Sequence, residues 1–481
     1  MEQTSSTAYP NLLVVDYLRS SRRDDPQTML QAEEYLNVGY QKILTFQNPS
    51  NGGFGWWGGG ENPVTWVTAY GVLELNDMSK VMDVDRAAIE RAQTWLIGQQ
   101  GSDGSWRNAG QTHGVRIDNM PNQELGLTGY VAWSLAESGY QGAALERALG
   151  YLEQHLDEAA QNPYALALVA NALVAAKPKA SATKRALGLL DELKQTEDER
   201  VFWSAGSNQQ TLSYARGDSA SVEITALVAY AMIQSGGYAH TVNGALAHLI
   251  ATRDPAGAWG STQATILALK ALVGGASGTP QTGTVKVTVR VNGEERVLEI
   301  TPEQSDVLQL LDFGQATQEG ANQISLRVEG ESSLSYQVIS RHYLPWSERP
   351  APPRKTLELT VDYDRTRLAT DDTVRATARL RYTGAVSTYM VVLDLGIPPG
   401  FAVSREDLEA LVAAGRIETF TLTARQITVY LGGVEPNRPL ELGYSLRAKY
   451  PVKVKTPTST AYEYYTPENR DEAEPVALTV E

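Results

Sequence analysis

Gly52-Gly53-Phe54-Gly55-Trp56-Trp57, with Thr68-Ala69-Tyr70 opening the apolar run that follows, is the stretch from which the fold of the first half is read. Glycine supplies the backbone angles of a tight turn, and the aromatic side chains fill the gap where two helical hairpins meet. The combination recurs. Gly104-Ser105-Trp106 precedes Thr128-Gly129-Tyr130, and Gly257-Ala258-Trp259-Gly260 introduces a late apolar segment. Thr7-Ala8-Tyr9 opens the first such segment, and Thr225-Ala226-Leu227 sits similarly in another. A spacing of about 60 residues between the first Thr motifs marks a repeated supersecondary unit.

Between these motifs the apolar period is helical. Met29, Ala32, Leu36, Tyr40, Ile43 and Phe46 share one helix face, as do Leu145, Leu149, Leu152 and Leu156. Tyr164 to Ala176, Val222 to Ile233 and Thr265 to Val273 are apolar nearly all round, so they must be buried on most sides. Alternation of the two kinds predicts an outer ring of helices packed on an inner one. About twelve helices in some six hairpins close most naturally as an α/α toroid over residues 1–276.

Gly274-Gly275-Ala276-Ser277-Gly278-Thr279-Pro280 then reads as a linker, after which the period changes to two. Val285, Val287, Val289 and Val291 alternate with polar residues, as do Ile324, Leu326 and Val328; both are expected to be strands with one buried face. Pro345, Pro350, Pro352 and Pro353 separate this small β unit, at 281–347, from a last region at 354–481. In that region Leu357 to Val361, Met390 to Leu395, Ile427 to Tyr430 and Leu440 to Leu446 fit a β-sandwich. One helix interrupts it: Ser404 is its expected N-cap, Asp407 completes a capping-box pattern, and Leu408, Leu411 and Val412 are expected to face inward. The fold class is therefore multidomain, α then β.

At 481 residues the chain is too long for one core. Its net charge of −15 is spread along the sequence, which argues against nucleic acid and anionic membrane, since both reward clustered Lys and Arg. The absence of cysteine excludes disulfides, Cys-ligated metal and a Cys nucleophile within this chain. No run of about 18 apolar residues would span a membrane. The first residues carry neither a basic n-region nor an apolar h-region, so no signal peptide is expected within the chain. They also begin almost inside a helix, as expected of a truncated polypeptide.

Met1-Glu2-Gln3, running into Thr4-Ser5-Ser6-Thr7-Ala8-Tyr9-Pro10, resembles the Cys-x-Glu-Gln-Thr thioester motif of bacterial alpha-2-macroglobulins, with Met1 in the variable place. Gly126-Leu127-Thr128-Gly129-Tyr130-Val131, Val222-Glu223-Ile224-Thr225-Ala226 and Ser261-Thr262-Gln263-Ala264-Thr265 resemble the inner-helix signatures of that domain. Gly396-Ile397-Pro398-Pro399-Gly400-Phe401 and Ala461-Tyr462-Glu463-Tyr464-Tyr465 are similar to the family's receptor-binding-type macroglobulin domain, and the β unit between looks like the second half of a CUB domain. The resemblance covers essentially the whole chain, in order. It implies the C-terminal part of a protease-trapping inhibitor, not an enzyme and without cofactor. In full-length form such a protein is secreted, periplasmic or at the cell surface. Its partners would be target proteases and upstream macroglobulin domains of the same polypeptide.

In that family a Cys thiolate displaces ammonia from the side-chain amide of a Gln three residues on. The resemblance makes Gln3 the acyl donor, beside Glu2, and puts the Cys immediately before Met1. Either that Cys lies outside this sequence or the protein lacks the thiol; within the 481 residues no thioester forms. His113, in the polar stretch after Gly104-Ser105-Trp106, matches a His that takes the acyl group as an acyl-imidazole in some members; a solvent-exposed loop His is the competing reading. Trp56, Trp57 and Trp66 would shield the bond from water, or are simply core. His155, His240, His248 and His342 share no metal-ligand spacing, and no metal is expected. Receptor recognition in vertebrate members depends on lysines in the last domain's helix, whereas Ser404 to Ala414 offers Arg405, Glu406, Asp407 and Glu409 but no Lys.

An enzyme on the same toroid is the principal rival. Gln99-Gln100-Gly101-Ser102-Asp103-Gly104-Ser105-Trp106 resembles the Gln–Trp motif of triterpene cyclases, but their Asp-rich run is missing; the nearest pair is Asp24-Asp25, beside Arg22 and Arg23. A polysaccharide lyase or glycosidase would want paired carboxylates at the toroid's mouth, which sequence does not place. A thioester-less binding module is the remaining class.

Overall fold

The structure, a computed structural model, describes residues 1–20, 25–58, 60, 62–108, 120–206, 209–254, 257–276, 283–304, 309–330, 334, 336, 338–340, 356–384 and 388–481. They fall into two compact units, Met1–Ala271 with Arg341–Glu481, and Leu272–Ser340.

Eleven helices make up the first part of the larger unit among the described residues: α1 Glu2–Ser20, α2 Pro26–Leu44, α3 Thr65–Met78, α4 Arg86–Gly98, α5 Gln123–Glu137, α6 Ala143–His155, α7 Pro163–Ala176, α8 Ser181–Glu192, α9 Gly217–Ser235, α10 Ala239–Thr252 and α11 Thr262–Ala276. The odd-numbered ones are the inner ring. Every residue of α3 is buried, and so are most residues of α7 and α9. The even-numbered ones are one-faced: α6 buries Ala144, Leu145, Ala148, Leu149 and Leu152 and leaves the rest exposed or half-buried. Helix starts are set locally. Asp25, Asp85 and Asn162 each accept a backbone N–H in the first turn of α2, α4 and α7, and Pro26 and Pro163 stand where a missing N–H costs nothing. The chain thus makes five hairpins plus α11, an α/α toroid.

The repeated turns have one physical device in common. The backbone N–H of Phe54, Trp106, Trp203 and Trp259 donates to the hydroxyl of Thr68, Thr128, Thr225 and Thr265 respectively, at 2.9 to 3.1 Å. The indole N–H of Trp106, Trp203 and Trp259 in turn caps a carbonyl near the end of the preceding outer helix: Leu96, Leu190 and Leu249. Each turn therefore ties an outer helix to the next inner one. Because the hydroxyl must reach back to the turn, Thr68, Thr128 and Thr225 lie inside their helices rather than opening them. Thr7, expected to belong to the set, is exposed and makes no such bond. Gly129, next to Thr128, has a separate reason: a Cβ there would lie 2.9 Å from the Val169 backbone nitrogen, so only glycine lets α5 approach α7 this closely.

Strands are numbered in chain order: β1 Gln195–Glu197 and β2 Arg200–Phe202 pair between α8 and α9, and β3 Val285–Val291, β4 Glu294–Ile300 and β5 Ile324–Glu329 belong to the smaller unit. The last part of the larger unit is a sandwich. Its strands are β6 Leu357–Tyr363, β7 Arg367–Leu368, β8 Thr373–Tyr382, β9 Thr388–Gly396, β10 Phe401–Val403, β11 Thr419–Leu422, β12 Gln426–Val434, β13 Leu440–Ala448, β14 Val452–Lys455, β15 Ser459–Glu463, β16 Thr466–Ala473 and β17 Ala477–Val480. They form sheets in the orders β10-β13-β8-β6, β11-β12-β9-β15-β16 and β14-β17-β7. Alternating residues of β8, β9 and β12 interdigitate in one core with Tyr444, Leu446 and Leu408. Helix α12, Arg405–Ala413, starts as expected at Ser404, whose hydroxyl accepts the Asp407 N–H, and buries Leu408. Val412 is exposed, contrary to expectation: of the three apolar positions it is the one rotated off the sheet.

The smaller unit is a three-stranded sheet, ordered Glu294–Ile300, Val285–Val291, Ile324–Glu329, all antiparallel. Pairing puts Val287 opposite Leu298 and Val328, and Val289 opposite Leu326, so one face is apolar. Among the described residues Val285, Val287 and Ile300 form a buried cluster, while Ile324 and Val328 are exposed, so the third strand lacks the buried face its alternation predicts. Among the described residues no helix is long and apolar enough to cross a membrane.

Candidate functional site

Helix α1 begins inside the protein. Met1 and Glu2 are buried, and the Met1 nitrogen donates to the Trp56 carbonyl at 2.6 Å. Gln3, one residue on, is exposed. Aromatic rings gather over this start. Trp56 packs edge-on against Trp66 (centroids 5.1 Å apart) and stacks on Tyr214 (5.8 Å), and Tyr214 touches Tyr465 at 5.3 Å. Tyr464 meets Tyr465 edge-on. Tyr214 holds its position with a left-handed backbone, φ 69°, a conformation that costs a non-glycine residue about 1 kcal/mol or more.

Tyr464 and Tyr465 come from the turn between β15 and β16, so the sandwich covers the ring mouth. The Tyr465 hydroxyl donates to Glu2 Oε2 at 2.9 Å, across 463 residues of sequence. Glu2 Oε1 is buried without a hydrogen-bond partner among the described residues. Burial pushes the Glu2 carboxyl up to about 7, against the downward pull of the Tyr465 hydrogen bond.

Two more buried acids stand inside the ring. Glu74 on α3 accepts from the Ser5 hydroxyl at 2.6 Å, has its other oxygen unpartnered, and is pushed up to about 8, chiefly by burial. Glu223 on α9 accepts from Tyr164 and Ser213, and burial raises it to about 7. It lines a small cavity with Trp66, Tyr130, Tyr164 and Gln263, large enough for about one water molecule. Asp77 is different. Burial pulls it up, but Lys270 at 2.8 Å and Lys80 at 2.7 Å more than offset this and leave it at about 2. Tyr9 also donates to Asp77, and Lys270 lies over the rings of Trp133 and Tyr230. This cluster joins α1, α3 and α11 and closes the ring.

The structure brings Glu2, Trp56 and Trp66 together at the mouth. Gln3 lies at its exposed edge, and Trp57 is 41% exposed. His113 and His342 lie outside the described residues. His155 pairs with Glu158, and His248 is stacked on Phe202 and held below its ordinary range by burial. No group of three metal-binding side chains occurs among the described residues. The Gln–Trp stretch is occupied structurally: Gln100 donates to the Gly104 and Ala144 carbonyls and Trp106 to Leu96. Asp25 caps α2. Sequence reasoning missed Tyr214, Tyr465, Glu74, Asp77 and Lys270 as site residues. The last three had a legible signal, a charge inside a helix that is otherwise apolar all round.

The comparisons with known proteins agree with this architecture. The family model described as A-macroglobulin TED domain matches residues 1–274, and that described as A-macroglobulin receptor binding domain matches residues 386–475. Ovostatin of Gallus gallus is 24% identical over 99% of this chain, and thioester-containing protein 1 (allele S1) of Anopheles gambiae is 22% identical over 96%. The chain spans about a third of the length of these curated relatives, 33% in each case. Among solved structures, a mutant of Salmonella alpha-2-macroglobulin superposes over 100% of this chain and 30% of its own with a TM-score of 0.70 at 18% identity, which shows the shared fold. With its helical ring and its sandwich each matched, in that order, the chain belongs to the A-macroglobulin family.

Proposed function

We propose that this chain is the C-terminal part of a protease-trapping inhibitor, in which Gln3 is the acyl donor of an internal thioester to a Cys immediately before Met1. The observation that carries this reading is the buried start of α1: the Met1 nitrogen sits against Trp56 beneath a cluster of aromatic rings, so the preceding residue would emerge in a site poor in water. A residue there and Gln3 are three apart, on one side of a helix start, where the helix N-terminus favours a thiolate. In the formation step sulfur bonds to the Gln3 carbonyl carbon, the carbon–nitrogen bond breaks, and the amide nitrogen leaves as ammonia with the thiol proton. Attack by a protease nucleophile would then transfer the acyl group and regenerate the thiol. Trp56 and Trp66, with Tyr214 and Tyr465, would shield the bond; Trp57, more exposed, would lie at the edge of the shield. His113 would take the acyl group in transit.

The same reading gives the chain its wider setting. Upstream macroglobulin domains of the same polypeptide would complete the trap, target proteases would be its partners, and the full-length protein would be secreted, periplasmic or at the cell surface. The half-covered sheet at 285–329 supports its reading as part of a CUB-like unit whose second sheet comes from elsewhere in the polypeptide. The reaction is stoichiometric capture rather than turnover.

The test uses the full-length gene product. Treatment with methylamine should add one amine at Gln3 and release one titratable thiol, and Gln3→Ala should abolish both. Absence of both changes in the parent protein would leave Gln3 an ordinary helix-start residue. Replacing His113 with Ala should shift acceptor preference from hydroxyls toward amines.

A further inference from the structure

The contact between Glu2 and Tyr465 joins two parts of the larger unit that are otherwise separate in sequence and in core. Everything packed around Glu2 bears on its charge. Tyr465 and Tyr464 face it from the β15–β16 turn, Glu223 from α9, Thr262 from α11, and the Met1 nitrogen from its own helix. Burial, the largest influence, and Glu223 oppose a carboxylate; Tyr465, the Met1 nitrogen and Thr262 favour it. With one oxygen orphaned in the buried interface, an ionised Glu2 has half its charge unsolvated, whereas a neutral carboxyl does not.

We propose that the Tyr465–Glu2 hydrogen bond is a protonation-gated latch: the sandwich stays closed over the ring mouth while the Glu2 carboxyl is neutral, and opens more readily when it ionises. The latch does not depend on a thioester being present. Its direction follows from linkage. Glu2 lies at about 7 when covered and at its ordinary 4.5 when released into water. Closure is therefore at full strength below about 4.5, weakens as pH rises through about 7, and is constant above that. The gap between the two values sets the opening equilibrium to rise by about 300-fold across this window.

Hydrogen exchange on the whole chain reads this directly, because comparison with Glu2→Gln at each pH removes the intrinsic pH dependence of exchange. Segments on both sides of the contact, residues 1–6 and 461–466, are followed together with β8 in the sandwich core. At about pH 4 the parent and Glu2→Gln should exchange alike; by about pH 9 the parent should be faster on both sides, by up to about 300-fold, with β8 unchanged. Tyr465→Phe, which removes the donor without touching the ring contacts, should speed exchange on both sides even at about pH 5. Parent-to-Gln ratios that stay flat with pH would overturn the latch. So would a rise that includes β8, since that is unfolding rather than opening. If Glu2→Gln fails to fold, Tyr465→Phe decides: exchange no faster than the parent's at acid pH refutes the proposal.

Discussion

Glu74 and Asp77 lie three residues apart on the same helix, both fully buried, and yet one is held at about 8 and the other at about 2. Burial is the largest influence on each and acts in the same direction. What separates them is the partner. Asp77 meets two ammonium groups and a tyrosine hydroxyl where α1, α3 and α11 close the ring, so its charge is compensated in place. Glu74 meets a single neutral hydroxyl and compensates by keeping its proton. The acids at the mouth and just inside it, Glu2, Glu74 and Glu223, are thus neutral below about pH 7 because they keep their protons, whereas the closure is neutral because it is paired. The first arrangement depends on pH near neutrality and the second does not.

Removing one half of the pair should give the largest effect. Lys270→Met leaves Asp77 as a buried anion with only Lys80, itself half-exposed, to answer it; thermal or denaturant unfolding should show a loss of about 3–5 kcal/mol. Adding Asp77→Asn to that variant should recover much of the loss, since the uncompensated charge goes with it. A double variant as unstable as the single one would mean that shape rather than charge holds the closure, and would dissolve the contrast with the mouth.

Glu74→Gln tests the other arrangement. The folded carboxyl is raised from 4.5 to about 8, so its favourable contribution is complete below about 4.5 and is lost as pH rises through about 8. Stability of the parent measured by denaturant titration should fall relative to Glu74→Gln by about 2–4 kcal/mol between about pH 5 and about pH 9. Each tenfold change in the ionisation equilibrium is worth about 1.4 kcal/mol, and some relaxation of the site offsets part of the total. Equal slopes for the two proteins would show that Glu74 ionises without cost and that the mouth is wetter than its packing indicates.

The same contrast explains what could be read from sequence. The order of ring, small sheet and sandwich was legible because periodicity reports which face of an element is apolar, and Gly-plus-aromatic turns mark the joints. Periodicity does not report what covers that face. Ile324 and Val328 alternate like buried strand residues but are exposed, and Val412 has helical spacing but lies off the sheet. At the site, Glu2 and the tryptophans were legible because they sit in or beside motifs. Tyr465 stood out only as part of the last domain's signature, because its meeting with Glu2 is made by the docking of the sandwich on the ring, 463 residues away. The charges of Glu74, Asp77 and Lys270 are conspicuous within apolar helices, but whether each is paired or protonated depends on ring closure, which no local window contains.

Ser5→Ala gives the smallest of these effects and the sharpest measure of how much the mouth depends on a single neutral hydroxyl. Ser5 Oγ donates to Glu74 Oε2 at 2.6 Å, and this bond pulls the carboxyl down against burial. Without it both oxygens of Glu74 lack a protein partner, since Oε1 has none already. Stability at about pH 5, where the acid is neutral, should fall by about 1 kcal/mol, the ordinary worth of one hydrogen bond. The pH at which stability declines should move upward, because the remaining influence of burial goes less opposed. A downward shift would mean that water enters when the hydroxyl leaves and solvates the carboxylate, and the mouth would then resemble the closure in having a partner ready for its charge.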